Sequence, residues 1–330
     1  MPLLFDKDRL LSISYYKYKE KFKSLNILQL FFLHNANIYK KNEKNKFFIK
    51  KNYIKLVIFE NFIIFINKEY NNMDINRIYQ IDVLEGLKQL EDNSVDVIIF
   101  SPPYNKLGLR GNARPITEKN IKSASAQRNW VQAIAYGGDY NVDNMKEEDY
   151  EQWQIEILNE CYRVIKEDGS IFYNHKNRLN KGQSISPYKW LYQTKLIVRQ
   201  EIVWNCNGTP IQAPIRWLPT TERIYWLTKT TKPRFYRNIN GKHKTEVWQI
   251  NRENRNSHPA PFPIEIPYTI LDNIPSDKPL LVLDPFMGSG TTAIAALMHN
   301  HNYLGFEKFK EYVDMAEERI KKYQESKNNC

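Results

Sequence analysis

The segment from Leu281 to Met298 constrains this chain most. Leu281-Val282-Leu283 is an apolar run that enters Asp284-Pro285-Phe286-Met287-Gly288-Ser289-Gly290, and Thr291 to Met298 then carries helix-forming residues. A strand, a glycine-bearing turn and a helix in that order predict a buried parallel strand feeding a crossover helix. Gly288 and Gly290 allow a tight turn and close approach of a ligand to the backbone. The N–H groups that open the helix at Thr291 and Thr292 can receive a carboxylate or a phosphate. The next apolar run, Tyr303 to Phe306, ends at Glu307, 17 residues beyond Gly290. An acid at that place can accept hydrogen bonds from two ribose hydroxyls. The glycine turn alone also fits an ordinary strand–helix connection; Glu307 tips the reading toward a nucleoside.

The rest of the chain after Met73 supplies the frame for this unit. Ile78–Ile81 reads as a strand, Val83–Leu90 as a short helix, and Val95–Phe100 as a strand that is apolar throughout except for Asp96. Residues 105–145 have little period and read as a long loop, a length that inside a domain usually means function. Glu148–Ile165 has helical spacing, Ser170–Tyr173 is a strand, Tyr188–Val198 a helix, and Glu201–Trp204 and Ile224–Leu227 are strands. Ile264–Ile274 and Glu311–Tyr323 are helices. Alternating strands and helices predict a doubly wound α/β sheet.

A second motif stands at the end of the Val95–Phe100 strand: Ser101-Pro102-Pro103-Tyr104. Two prolines make a rigid stop, and that alone is an adequate reading. The same four residues also present a hydroxyl, a carbonyl of fixed direction and an exposed aromatic. Such groups can hold a planar heterocycle that carries an amine, with Tyr104 on its face and Ser101 and the Pro102 carbonyl accepting from the amine.

Together these two segments resemble the catalytic and AdoMet-binding motifs of the amino-group DNA methyltransferases, which modify cytosine-N4 or adenine-N6. The catalytic motif comes first here, an order similar to the permuted beta group. The resemblance spans about Ile75 to Lys322. It implies a Rossmann-like AdoMet-dependent methyltransferase fold, circularly permuted in motif order, with small target-recognition segments. It also implies S-adenosyl-L-methionine as cofactor, held by Asp284, Pro285, Phe286, Gly288, Ser289, Gly290, Thr291, Thr292 and Glu307. Asp82 matches the acid near the cofactor adenine, and His258, Pro259 and Phe262 match the segment that closes over its methionine part. Ser101, Pro102, Pro103 and Tyr104 are the implied catalytic residues. Ser at the first position leans toward cytosine-N4, with adenine-N6 the alternative, because both amines need acceptors in the same place. Methylation of an RNA base or a protein amide is remoter: members of that type have Asn first and the cofactor motif upstream. A non-catalytic nucleic-acid-binding module is opposed by the intact Ser101, Tyr104, Asp284, Gly288 and Gly290.

Charge adds less than its total suggests. The net is +11, but residues 1–72 hold 14 Lys plus Arg and 6 Asp plus Glu, leaving 34 and 31 for residues 73–330. That leader has no glycine, and 47 of its 72 residues are Lys, Asn, Ile, Phe or Tyr, all encodable by A and T alone. It reads as a basic DNA-binding arm, a small helical extension, or upstream DNA translated from a mis-assigned start. Residues 73–330 read as the catalytic domain, with DNA-recognition loops around 105–145 and 207–260. Lys106, Arg110, Arg114, Lys122 and Arg128 punctuate the first loop. Asn174-His175-Lys176-Asn177-Arg178 follows a strand, and Lys229, Lys232, Arg234, Arg237, Lys242 and Lys244 form a second basic stretch. These suit phosphate contact, although any single Lys also fits a solvated loop. Trp204, Trp217, Trp226 and Trp248 read as packing residues. His175 and His258 lack a second ligand at zinc spacing, so no metal is expected. Cys161, Cys206 and Cys330 are too scattered for a disulfide framework. No apolar run approaches the about 18 residues of a membrane span. The expectation is a cytoplasmic enzyme acting on double-stranded DNA, with a cognate restriction endonuclease and a homodimer as further expectations of the resemblance.

Overall fold

The computed structural model describes residues 73–105, 145–180, 182–208, 217–253 and 263–328. The leader, the five basic residues of the first loop, His258, Pro259 and Phe262 lie outside them. In chain order the elements are β1 (Arg77–Gln80), α1 (Val83–Leu87), β2 (Val95–Phe100), α2 (Glu147–Val164), β3 (Ile165–His175), β4 (Arg178–Asn180) and β5 (Gln183–Ile185). They continue with α3 (Tyr188–Leu191), β6 (Ile197–Asn205), β7 (Thr221–Thr228), β8 (Val247–Gln249), α4 (Glu265–Leu271), β9 (Leu281–Asp284), α5 (Thr291–Met298), β10 (Asn302–Glu307) and α6 (Lys310–Asn328).

Among the described residues, eight strands form one sheet in the order β1-β10-β9-β2-β3-β7-β6-β8. The first five run parallel. β7 is antiparallel to both β3 and β6, and β8 runs parallel to β6. The doubly wound α/β expectation therefore holds, with an antiparallel flank added.

β2 shows why the parallel strands are apolar without alternation. All six of its residues are buried. Val97 and Ile99 join the core on one face with Ile266 of α4, Ala293 and Ala296 of α5, and Val313 and Ala316 of α6. Ile98 and Phe100 join the core on the other face with Leu87 of α1, Ile157, Leu158 and Cys161 of α2, and Trp190 of α3. A strand covered on both sides has no solvent face for polar residues. Asp96 is the exception, and the structure neutralises it. Its carboxylate accepts from Leu281 N–H at 3.0 Å and Lys166 Nζ at 2.8 Å, with Arg234 at 3.3 Å. Burial alone would raise its pKa, but these partners outweigh burial and hold the carboxyl below its ordinary value.

The topology places a crevice. From β9 the chain passes through α5 to β10 on one side; from β2 it passes through α2 to β3 on the other. β9 and β2 are neighbours, Ile98 lying beside Leu283. Connections that leave adjacent strands in opposite directions open a cleft at their carboxyl ends. The two motifs stand at those two ends.

Two local readings change. The strand expected over Ser170–Tyr173 runs 11 residues as β3, from Ile165 to His175. The helix expected over Tyr188–Val198 shortens to one turn, and β6 takes up Ile197 and Val198. The β-branched residues at that end favour the strand once β7 is present to pair with them. Among the described residues no helix is long and apolar enough to cross a membrane.

Candidate functional site

The end of β9 is built around the Asp284 carboxylate. It is buried, and it accepts from Phe286 N–H at 2.9 Å and from Thr292 Oγ1 at 2.6 Å. One side chain thus ties the strand end to the first turn of α5. The turn between them needs its glycines. Gly288 has φ 50° and Gly290 φ 81°, a left-handed region costly for other residues. A Cβ on Gly290 would lie 2.9 Å from that of Ala316 on α6. Arg319 of α6 clasps the turn from outside, donating to Ser289 O at 2.5 Å and to Ser289 Oγ at 2.7 Å. The turn is also pinned to β10 by Met287 N–H to Phe306 O at 2.9 Å.

Glu307 closes β10 beside it. One oxygen accepts from Gly288 N–H at 2.9 Å, the other from Phe309 N–H at 3.0 Å. The backbone N–H of Lys308 also faces this carboxylate, and the group keeps acceptor capacity beyond these bonds, so it can take ribose hydroxyls while holding the glycine turn. Burial raises its pKa against the opposing backbone hydrogen bonds. Asp82, at the end of the neighbouring β1, caps α1 by accepting from Leu84 N–H at 3.0 Å. Three acids therefore mark the ends of β9, β10 and β1.

Burial pushes the Asp284 carboxyl up to about 7, and Glu307 adds to the rise while the bonds from Thr292 and Phe286 oppose it. The ordinary value is 3.8. A raised folded value means that the folded state binds the extra proton. That contribution to stability is full below about pH 4 and is lost as pH rises through about 7. In Asp284→Asn this pH dependence should vanish. Calorimetric melting of both proteins from pH 5 to 8 checks it: the wild type should lose Tm relative to the variant as pH rises, and a constant difference contradicts the assignment.

The second motif leaves β2 as a polar cluster. Ser101 Oγ lies 2.8 Å from Tyr104 Oη. Tyr104 donates to Glu222 Oε2 at 3.0 Å. Asn174 Nδ2 donates to Tyr104 Oη at 2.9 Å, with Ser101 Oγ and Glu222 Oε2 each at 3.3 Å. Asn174 comes from the end of β3 and Glu222 from the start of β7, and both are buried. Tyr150 of α2 holds the motif's backbone by donating to Pro103 O at 2.8 Å. Asn105 clasps the base of the long loop, exchanging bonds with Met145 N–H and O at 2.8 and 3.0 Å. The two motifs meet through aromatic rings. Phe286 stacks on Phe100, the residue before Ser101, with centroids 5.8 Å apart.

The family now follows. The DNA methylase family of N6/N4 type matches residues 95–318. This chain belongs to that DNA methylase family. Among curated relatives of the methylase, the type II methyltransferase M.BglII of Bacillus subtilis is 27% identical over 301 residues, covering 80% of this chain and 74% of that protein. The DNA adenine methyltransferase YhdJ of Escherichia coli (strain K12) is 25% identical, covering 72% of this chain and 80% of its own. The solved PvuII DNA methyltransferase (cytosine-N4-specific) superposes with a TM-score of 0.56 at 18% identity, covering 74% of this chain and 86% of that one. The methylase is therefore a DNA-modifying enzyme with the Rossmann-like fold.

Several residues of the methylase stand elsewhere than their sequence context suggests. Tyr104 is not an exposed aromatic: it is 8% exposed, its ring beside His175 with centroids 4.6 Å apart. Arg178 is buried and paired with Glu147 at 2.8 and 2.5 Å, under Tyr150 and Trp190. Lys229 is turned onto Asn93 and the Tyr162 ring, and Arg234 onto Asp168 at 2.7 Å. These three cations hold the fold together; among the described residues of the second basic stretch, Lys232, Arg237, Lys242 and Lys244 stand exposed. Trp204, Trp226 and Trp248 are buried, but Trp217 is 97% exposed. Sequence reading missed Asn174 as a site residue, and it missed Glu222, Arg252 and Arg319 altogether. The available signal for Glu222 was a carboxylate opening an apolar strand, Thr221-Glu222-Arg223-Ile224, where an acid needs a reason.

Proposed function

We propose that the methylase transfers the methyl group of S-adenosyl-L-methionine to the exocyclic amine of a base flipped out of double-stranded DNA, with cytosine-N4 the first target and adenine-N6 the alternative. One observation carries this reading. A glycine turn held by Asp284 and Glu307 leaves β9 beside the end of β2 that carries Ser101, and Phe286 stacks on Phe100 to join the two halves.

The residues suit the cofactor. Glu307 offers carboxylate oxygens to the ribose hydroxyls, and a turn whose Gly290 admits no Cβ lets the ligand approach the backbone. Asp82 faces the adenine end in this reading, and Asp284, Pro285, Phe286, Ser289, Thr291 and Thr292 shape the turn. His258, Pro259 and Phe262 cover the methionine part. When bound, the cofactor supplies an electrophilic sulfonium methyl, so no activated nucleophile is required of the protein. Ser101 and the Pro102 carbonyl accept from the amine and orient its lone pair, Pro103 stiffens the motif, and Tyr104, its ring covered, holds Ser101 through its hydroxyl. Residues 73–330 act as the catalytic domain. The loops around 105–145 and 207–260 contact DNA, a reading supported by the exposed Trp217 at the catalytic edge of β7. A cognate endonuclease suits the type II relatives; a homodimer and a cytoplasmic location complete the proposal. Adenine-N6 gains weight from the name of the Escherichia coli relative.

Purified protein incubated with methyl-labelled AdoMet and unmethylated genomic DNA tests the reading. Digestion to nucleosides and mass spectrometry should find labelled N4-methylcytosine. Labelled N6-methyladenine would replace the base assignment, and unlabelled DNA from a protein that binds AdoMet would refute the reading.

A further inference from the structure

The polar cluster at Ser101 has a direction, and the buried carboxylate of Glu222 sets it. Glu222 is 5% exposed and paired with Arg252 at 3.2 Å. A carboxylate only accepts hydrogen bonds. Tyr104 must then spend its single proton on Glu222 Oε2. Asn174 Nδ2 is a donor only, so it cannot take a proton from Ser101 or Tyr104. Of the two groups in the 2.8 Å contact between Ser101 and Tyr104, Ser101 is left as the donor. With its proton aimed at Tyr104 and one lone pair facing Asn174 Nδ2 at 3.3 Å, the Ser101 oxygen keeps a second lone pair for a donor arriving in the crevice. An amine is such a donor. Without the carboxylate, Tyr104 could donate to Ser101, and Ser101 could turn its own proton toward the amine.

We propose that Glu222 is a positioning residue that polarises the chain Ser101–Tyr104–Glu222 and receives, through it, the proton shed by the methylated amine. The inference rests on the reading that Ser101 faces the target amine. As the new N–C bond forms and the S–C bond breaks, positive charge builds on a nitrogen that carries one proton too many, so the proton must leave in the same step. The N–H bond breaks as Ser101 Oγ gains that proton. The Ser101 hydroxyl proton passes to Tyr104 Oη, and the Tyr104 proton passes to Glu222 Oε2. The result is a neutral amine, two restored hydroxyls and a neutral carboxylic acid, which returns its proton to solvent. No oxidant or further reactant is needed. Burial and the nearby Glu222 charge keep Tyr104 protonated, its pKa well above the ordinary phenol value, as a relay hydroxyl requires. Glu222 acts through two hydroxyls, since Asn174, Tyr104 and Arg252 stand around it.

The test uses the full chain, labelled AdoMet and unmethylated DNA under single-turnover conditions. Glu222→Gln keeps the volume but cannot take up a proton. Tyr104→Phe keeps the ring but breaks the chain without touching Arg252. Each should slow methyl transfer about 100-fold, the size of an acid–base contribution. AdoMet affinity by calorimetry and DNA affinity by anisotropy should stay within about twofold, and Tm should show both variants folded. The double variant should be no slower than either single one, as for residues acting as a unit. A normal solvent deuterium isotope effect in the wild type should disappear in both. Full-rate transfer by either variant, or losses that multiply in the double variant, would overturn the relay while the DNA methylation reading stands. Failure of the wild type itself to label DNA would overturn both.

Discussion

Glu307→Ala is expected to weaken AdoMet binding about 1,000-fold, the largest effect of any single change in the cofactor half. The wild-type carboxylate serves two ends at once. It holds the glycine turn through Gly288 N–H and, in the proposed complex, accepts two ribose hydroxyls. Hydrogen bonds to a charged group are worth about 1.5–3 kcal/mol each. Two of them amount to about 3–6 kcal/mol, and each 1.4 kcal/mol is about tenfold in affinity. The expected loss therefore lies between about 100- and 10,000-fold. Glu307→Gln should recover part of it, because the amide oxygen still accepts one bond. Titration calorimetry measures both, with melting curves to show folding. A loss of less than tenfold in the alanine variant would place the ribose elsewhere.

Ser101→Ala should reduce methyl transfer about 1,000-fold with AdoMet binding unchanged. The substitution removes the acceptor that orients the amine and the first member of the chain toward Glu222. Losing one preorganised polar group at a reacting centre costs about 100- to 1,000-fold, and losing proton acceptance adds to that. The fold should tolerate it. Serine and alanine differ by one oxygen, and Asn174 and Tyr104 retain each other. Single-turnover kinetics with labelled AdoMet decides the matter, and an unimpaired variant would remove Ser101 from the catalytic residues. At the neighbouring Tyr104 the choice of substitution matters. With its ring buried, truncation to alanine would open a cavity costing several kcal/mol, so Tyr104→Phe is the cleaner probe of the hydroxyl.

The strands and helices were legible because each leaves a periodic trace along the chain. Val95–Phe100 and Thr291–Met298 have the bounds read from their residues alone. Both motifs were legible for a related reason. A tight turn needs glycines at given offsets, and the atoms that shape it are neighbours in sequence. Such local requirements also carried the family resemblance.

What escaped was pairing between distant residues. Glu222 reaches Tyr104 across 118 positions, and Arg163 reaches the backbone of Leu87 across 76. Nothing in the spacing of either pair marks it. The basic residues misled in the same way. Arg178 and Arg234 look like DNA contacts in a list of charges, yet each has a carboxylate waiting in the fold, Glu147 and Asp168. Trp217 erred in the opposite sense, because a tryptophan is usually buried and only the path of the chain before β7 decides that this one is not. By itself, then, the sequence determined the strand–turn–helix units and the chemistry that each turn can offer, since those depend on backbone conformation within a few residues. The tertiary structure alone decided which charges are neutralised, which ring is covered and which carboxylate stands behind Tyr104. Those outcomes depend on desolvation and hydrogen-bond geometry among side chains that only the closed sheet brings within 3 Å.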